Sequence, residues 1–409
     1  MYDVYEIRKQ FPMLNGKTMQ GKPLVYLDNA STTFKPQCVI DAVSSYYQEH
    51  TANSHRGDYD LLYFMDVKVE EVRKTVANFV NCESKEVVFT SGDTMALNLI
   101  AWGYGHKFLK PGDEIILDVA EHASNVLPWY EIAHFTGAVI KFIPLDKEGR
   151  ITVEGLKQVI SNKTKIVSIA LTTNVLGYSV NPKEFADLIH SYGAIFVADG
   201  AQYVPHQKTN FKEDDIDLLT FSSHKMCGPT GVGCLVGKYK ILESMDPFLV
   251  GGGMNVDFDT EMNMNPLPAP AKFEAGTLPL AEIMGLEAAI QFLSSIGMES
   301  IQKHEQELFH YAMEKLEKQE DIIIYNKNAN NGIIAFNKKG IFAQDEATLL
   351  NSKGIAVRSG QHCAKILDRF LGTNATVRAS VYLYTTKEDI DALVDALING
   401  GDILDAYFN

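Results

Sequence analysis

From about residue 85 to residue 240 the chain alternates short apolar runs with helical patterns: VVFT (87–90), EIILD (114–118), AVIKFI (138–143), KIVSIAL (165–171), AIFVAD (194–199) and LLTF (218–221). The runs are apolar at consecutive positions. A strand with one solvated face would alternate, so these predict strands covered by helices on both sides, in a βαβ succession with a mostly parallel sheet. Ligands of such sheets bind beyond the carboxyl ends of the strands, which directs attention to the polar residues following each run. The stretch VGGGMNVDFDTEMNMNPLPAP (250–270) breaks the pattern with Gly, Pro and Asn and predicts a long surface loop with a job. After it, 280–297 and 300–320 read as helices, and 322–325, 333–336, 355–357 and 376–382 as strands. The expected fold class is α/β, with a large domain over 21–285 and a smaller α/β domain formed by 1–20 and 286–409. The charged run in 300–320 reads as a solvated helix face.

The chain has 409 residues, 46% apolar and 22% charged, enough for a large core. Its 37 Lys and Arg against 52 Asp and Glu leave a formal charge of −15, which repels polyanions, so no nucleic-acid partner is expected. No apolar stretch approaches the roughly 18 residues of a membrane span and the first residues carry no apolar leader core, so no membrane association is expected. Five cysteines are an odd number with no Cys-x-x-Cys pair. That excludes a disulfide framework and a zinc knuckle, predicts no metal, and fits a reducing, cytoplasmic location.

Asp199 ends the run AIFVAD, and Lys225 follows LLTF in SSHKMCGPTGVG. Singly, the acid reads as a helix cap and the lysine as a surface residue. Together, a buried acid and a desolvated lysine meet the two needs of pyridoxal phosphate: an amine able to form a Schiff base, and an anion that keeps the pyridine nitrogen protonated. FTSGDTMALNLIAWG supplies a strand, a Ser91-Gly92-Asp93-Thr94 turn and an apolar-periodic helix. This is either an ordinary cap or a phosphate cradle using helix N–H groups and the Thr94 hydroxyl. Asp93 would repel a phosphate there unless it points away. Ser222 and His224 offer further phosphate donors. His122, after EIILD, is either a structural histidine or a ring-stacking, proton-moving one. Asn174 and Gln202 follow strands as candidate ligands of a cofactor's phenolic oxygen, or as loop residues bonded to backbone.

Free cysteines are mostly inert apolar residues, the reading that fits Cys38, Cys82, Cys227 and Cys234. Cys363 differs, because it sits in VRSGQHCAKILDRF between Arg358, His362 and Lys365, which favour its nucleophilic thiolate. Arg378 either grips a substrate carboxylate with two hydrogen bonds or forms a surface ion pair.

In order along the chain, YLDNAST (26–32), SHRG (54–57), TSGDT (90–94), EHASNVLPW (121–129), NVLG (174–177), ADGAQ (198–202), SSHKMCGPTGVG (222–233), KFEAGT (272–277), RSGQHCA (358–364) and RASVYLYTT (378–386) resemble the signatures of Suf-type (group II) cysteine desulfurases. These are class V aminotransferase-like members of the fold-type I pyridoxal-phosphate enzymes, and the likeness runs over nearly the whole chain. The resemblance implies a seven-stranded-type sheet in the large domain, and a homodimer with active sites at the interface. It implies that Lys225 carries the Schiff base, Asp199 pairs with the pyridine nitrogen and His122 stacks on the ring, with Gln202 and Asn174 in contact. Thr94, Ser222 and His224 would hold the phosphate, and Thr277 would reach the phosphate of the neighbouring subunit. Arg378, Arg358, Asn174 and Ala30 would bind L-cysteine. Cys363 would take its sulfur as a persulfide for iron–sulfur cluster assembly, releasing L-alanine.

The chain departs from that pattern at Asp93, Gln361 and Tyr384-Thr385, and after SHRG in DYDLLYFMDV. Phe342, Ala343 and Gln344 stand where zinc-exchanging, SufU-served enzymes carry a histidine, so of the SufE-like or SufU-like acceptors the resemblance implies, one working by zinc-ligand exchange is the less expected. Selenocysteine lyase, cysteine sulfinate desulfinase, another aminotransferase and a weakly active sulfur-trafficking partner are the alternatives the same scaffold allows.

Overall fold

The computed structural model describes residues 2–54 and 57–401. His55 and Arg56 of the Ser-His-Arg-Gly motif lie outside the described residues. All six apolar runs form strands: β1 (Val87–Thr90), β2 (Glu114–Asp118), β3 (Val139–Ile143), β4 (Thr164–Ala170), β5 (Ile195–Asp199) and β6 (Leu218–Ser222). A seventh, β7 (Gly233–Gly237), starts at the last glycine of SSHKMCGPTGVG, where no strand is expected from the sequence. The sheet order is β1-β7-β6-β5-β4-β2-β3. Every pairing is parallel except those of β7, antiparallel to both β1 and β6.

The consecutive apolar positions divide between the two faces. Val87, Phe89, Phe196, Ala198, Cys234 and Val236 enter one core; Val88, Leu117, Val197 and Leu235 enter the other with Leu97, Ile100 and Trp129. This is the two-residue period of strands buried on both sides. Edge strand β3 is the exception and exposes Val139.

On one face lie α1 (Gln37–Glu49) and α2 (Asp60–Val80), and α4 (Leu280–Ile296) packs across both; α3 (Asp93–Ile100) follows β1. The expected domain boundary at 285 falls inside α4. Ile290, Phe292 and Leu293 pack in the same core as β1 and β5, and after Gly297 the chain continues as α5 (Met298–Leu316). The smaller domain holds β8 (Ile322–Ile324), β9 (Ile333–Lys338), β10 (Arg358–Gly360) and β11 (Thr376–Ser380), in the order β8-β9-β11-β10, with α6 (Ala343–Ser352) and α7 (Lys387–Asn399). Val25–Tyr26 pairs in parallel with Ile355–Ala356, which ties the start of the chain to the C-terminal part of the fold. The expected loop over 250–270 contains a hairpin, Asn255–Phe258 against Met264–Pro266.

Candidate active site

The carboxyl ends of β1, β2, β4, β5 and β6 open onto one cavity of about 190 Å³. Register sets its floor: Ala170, Asp199 and Thr220 are neighbours across β4, β5 and β6, and Ser222, Gly233 and Thr90 across β6, β7 and β1. Gly233 is required by this packing, because a Cβ there would lie 2.6 Å from the Gly92 Cα and 2.6 Å from the Phe221 carbonyl oxygen. The missing side chain lets the Gly92 turn, itself at φ +148, close over the end of β7.

Asp199 is buried and accepts from the Ala201 N–H at 2.9 Å. Burial pushes its carboxyl above the usual range, while Ala201 and Lys225 oppose that rise. Lys225 closes the short turn Ser223–Lys225 directly after β6. The turn is tied down by the Thr33 N–H and the Lys35 ammonium, which both donate to the His224 carbonyl, at 3.1 and 3.0 Å. Burial lowers the Lys225 amine, and Asp199 and then Asp93 partly offset it. A desolvated amine beside an acid at a cavity floor is suited to Schiff-base chemistry.

His122 caps the turn Ala123–Asn125, its Nδ1 accepting from the Ser124 N–H at 3.2 Å. Burial, then Lys225 and two arginines, lowers this imidazole to about 4, so it is neutral with its proton on Nε2. The segment is clamped to the sheet by Glu121, which accepts from the Ala170 N–H at 2.6 Å and from Asn125 at 2.9 Å. Thr94 and Ser124 share a hydroxyl–hydroxyl bond of 2.8 Å, and the Asp93 N–H donates to Ser222 Oγ at 2.8 Å. Thr94, Ser222 and His224 thus gather at one end of the cavity, which Asp199 and Lys225 also line.

At the mouth stand two arginines. Arg378 is buried, donates to the Asn174 carbonyl at 2.8 Å and Ser31 Oγ at 2.9 Å, and pairs with Asp28 at 3.3 Å; it is not the surface ion pair weighed from sequence. Arg358 donates to Ser31 Oγ at 3.2 Å and lies 3.7 Å from Cys363 Sγ. Cys363 is exposed, and both it and His362 adopt the left-handed conformation, at φ 58 and 51. Two such residues in a row cost on the order of 1 kcal/mol each or more, and pinning on either side holds them. The Ala123 N–H donates to the Cys363 carbonyl at 2.8 Å, Asn174 Nδ2 to the His362 carbonyl at 2.8 Å, and the His362 Nε2 meets Thr376 at 3.0 Å.

Asn174 therefore spends its amide on the cysteine loop and presents only Oδ1 to the cavity. Gln202 likewise donates to the Ala30 carbonyl at 2.6 Å, which engages the Ala30 oxygen. Thr277, expected at the neighbouring subunit's phosphate rather than its own chain's, is exposed and lines an apolar cavity with Phe89, Phe248 and Leu249. The Arg73–Glu274 ion pair at 2.8 Å anchors its segment there. Ser31, which accepts from both arginines, and Asp28, which pairs with Arg378, carry no role in the sequence reading, although YLDNAST contains them. Of the other cysteines, Cys227 and Cys234 are buried, Cys82 is half-buried and, against expectation, Cys38 is exposed on α1. Burial pushes the Cys82 and Cys227 thiols up to about 12. Among the described residues no group of His, Cys, Asp and Glu is arranged to hold a metal.

Four buried polar atoms aimed at this cavity have no protein partner: Asp93 Oδ1, Asn174 Oδ1, Gln202 Oε1 and Arg378 Nε. Orphaned groups at this depth cost roughly 1–3 kcal/mol each unless a ligand satisfies them. A phosphate end lined by the Thr94 and Ser222 hydroxyls and the His224 imidazole, an acid–amine pair and a neutral His122 imidazole match pyridoxal phosphate.

An open, mainly parallel sheet with this acid, lysine and cysteine defines a class that comparison with known proteins makes explicit. The Aminotransferase class-V family model matches residues 25–393, and the chain belongs to that family. It is 45% identical, over 97% of both chains, to a probable cysteine desulfurase of Halalkalibacterium halodurans. Its fold superposes on the Escherichia coli cysteine desulfurase CsdA with a TM-score of 0.91, at 34% identity and 98% coverage of each chain. A cysteine desulfurase from Thermococcus onnurineus gives a TM-score of 0.92 at 34% identity, covering 97% of this chain and 98% of that one.

Proposed function

We propose that the protein is a pyridoxal-phosphate-dependent cysteine desulfurase that converts L-cysteine to L-alanine and carries the sulfur as a persulfide on Cys363. The observation that carries this reading is the placement of Cys363 beside Arg358 at the mouth of the cavity floored by Lys225 and Asp199. When bound, pyridoxal phosphate supplies an aldehyde for amines and an electron sink for the substrate carbons. Lys225 and Asp199 would hold its reactive and pyridine ends, and Thr94, Ser222 and His224 its phosphate.

Arg378, through its unpartnered Nε, and Arg358 bind the substrate carboxylate. The Lys225 amine, lowered by burial, takes the proton from the substrate Cα. The Cys363 thiolate attacks the substrate sulfur: an S–S bond forms, the C–S bond breaks, and its electron pair stays on Cβ. A proton delivered to that carbon by Lys225 or the His122 Nε2–H makes the methyl group, and return of a proton from Lys225 to Cα completes alanine. The sum is L-cysteine plus Cys363 thiol giving L-alanine plus Cys363 persulfide, which balances without an external oxidant.

The exposed apolar residues Leu61, Tyr63 and Phe64 on α2 and Phe258 and Met262 on the hairpin support a homodimer, with Thr277 completing the partner's phosphate site. Phe342, 76% exposed at the start of α6, offers no metal ligand, which speaks against zinc-ligand exchange with the SufE-like or SufU-like acceptor that would pass the sulfur to iron–sulfur cluster assembly. Five unpaired thiols suit a cytoplasmic location. The test is Cys363→Ala. Loss of cysteine turnover with retained selenocysteine turnover, whose leaving group needs no thiol, supports the reading; unchanged cysteine turnover contradicts it.

A further inference from the structure

Arg358 and Arg378 stand directly opposite each other on β10 and β11, paired in antiparallel register. Residues so paired project from the same face of a sheet with their Cβ atoms about 5 Å apart, and like charges placed there repel. Arg378 has anchors of its own in the Asn174 carbonyl and Asp28. Arg358 is half-buried, and among the described residues the one oxygen it donates to is Ser31 Oγ, at 3.2 Å; its other terminal nitrogen lies 3.7 Å from Cys363 Sγ. The direction of Arg358 therefore depends on a residue 327 positions away.

Ser31 is equipped to set that direction. A serine hydroxyl has one proton and two lone pairs, and all three are used here. The O–H donates to Asp28 Oδ1 at 2.6 Å, and the oxygen accepts from Arg378 at 2.9 Å and from Arg358. With its proton committed to Asp28, the oxygen turns its lone pairs to the two guanidiniums. The turn that carries it is fixed to the strand that carries Arg378: the Ala30 N–H donates to Ser380 Oγ at 2.9 Å, and Asn29 Nδ2 to the Ser380 carbonyl at 2.7 Å. One neutral oxygen thus holds two cations together without neutralising them. Asp28 offsets one of the two charges, which leaves the other for a ligand of the cavity that both arginines line.

We propose that Ser31 is a positioning residue: its hydroxyl aims Arg358 so that the two guanidiniums meet one substrate carboxylate beside Cys363, which makes the site selective for amines that carry an α-carboxylate. The inference rests on the desulfurase reading and extends it to a residue to which that reading gives no part. A planar guanidinium binds a carboxylate through paired N–H groups, so an arginine free to rotate keeps its charge and loses the alignment. Removing the hydroxyl weakens ligands with a carboxylate and spares those without one.

The experiment follows the visible absorbance of the cofactor in the holoprotein during titration with two amines. L-alanine carries the carboxylate and no sulfur; cysteamine is the cysteine analogue that lacks the carboxylate. Wild type, Ser31→Ala, Arg358→Ala and the double variant are compared. Ser31→Ala should weaken L-alanine binding roughly tenfold, the scale of one hydrogen bond to a charged group, and change cysteamine binding by less than about twofold. In the Arg358→Ala background the same substitution should change L-alanine binding by less than about twofold, because no guanidinium remains there to aim. Ser31→Gly carries the test if the alanine variant does not fold. Equal weakening of both amines would show a loosened pocket, and unchanged L-alanine affinity or additive losses would show no action through Arg358. Each of these overturns the role of Ser31 and leaves the desulfurase reading standing. A protein that takes up no cofactor overturns both.

Discussion

Single residues in this site act through partners that are remote in sequence. Arg378 meets Asp28 and Ser31 across some 350 positions, and no local spacing announces such a contact; Asp199, Lys225 and His122 were legible because each directly follows an apolar strand. Replacing Arg378 with Lys removes the planar fork while keeping the charge. KM for cysteine should rise roughly 10–100-fold with a smaller change in kcat, as expected for a charged hydrogen bond of about 1.5–3 kcal/mol; an unchanged KM would contradict its role. His362 gives a pH prediction. Burial, then Arg378, lowers its imidazole to about 3 from an ordinary value near 6.5. The unfolded chain therefore takes up a proton that the folded one refuses between those values. Stability contributed here is complete above pH 6.5 and is lost as pH falls towards 3. Thermal or denaturant melts of His362→Gln should show a shallower acid-side decline, by up to about 1.4 kcal/mol per pH unit.

At the scale of elements, what composition and periodicity reveal is burial, and what they conceal is direction. The six parallel strands were visible as apolar runs. β7 was not, since GCLVG is short, flanked by glycines and antiparallel only because of the neighbours it joins. The boundary drawn at 285 falls inside α4, since an apolar helix does not declare which core it serves. β7 nonetheless shapes the phosphate end of the cavity through Gly233. Gly233→Val forces a side chain into the Gly92 turn and the Phe221 carbonyl. Overpacking of this kind costs typically about 1–3 kcal/mol. Cofactor affinity, followed by absorbance, should drop by more than the loss of melting stability alone explains, because the displaced turn carries Asp93 and Thr94. A variant that binds cofactor normally would show that this approach is dispensable.

On the scale of the whole molecule, the two domains meet where the chemistry is divided. The large domain holds the acid, lysine and histidine, and the smaller one brings Arg358, Cys363 and Arg378 to the mouth. The resemblance of the ordered motifs made this pairing readable before any geometry. The pinning of the cysteine loop by Asn174 and Ala123 was not readable, because both contacts run through backbone carbonyls. Light scattering on a sizing column should give a dimer, and Leu61→Arg with Tyr63→Arg should shift it to monomer and weaken cofactor retention; a wild-type monomer with full activity would remove Thr277 from the site.

The most direct measurement is peptide mass analysis after exposing the holoprotein to L-cysteine. The account requires one added sulfur atom on the peptide containing Cys363, removed by a thiol reductant and absent in Lys225→Ala. An unmodified Cys363 in protein that is releasing alanine from cysteine would contradict it.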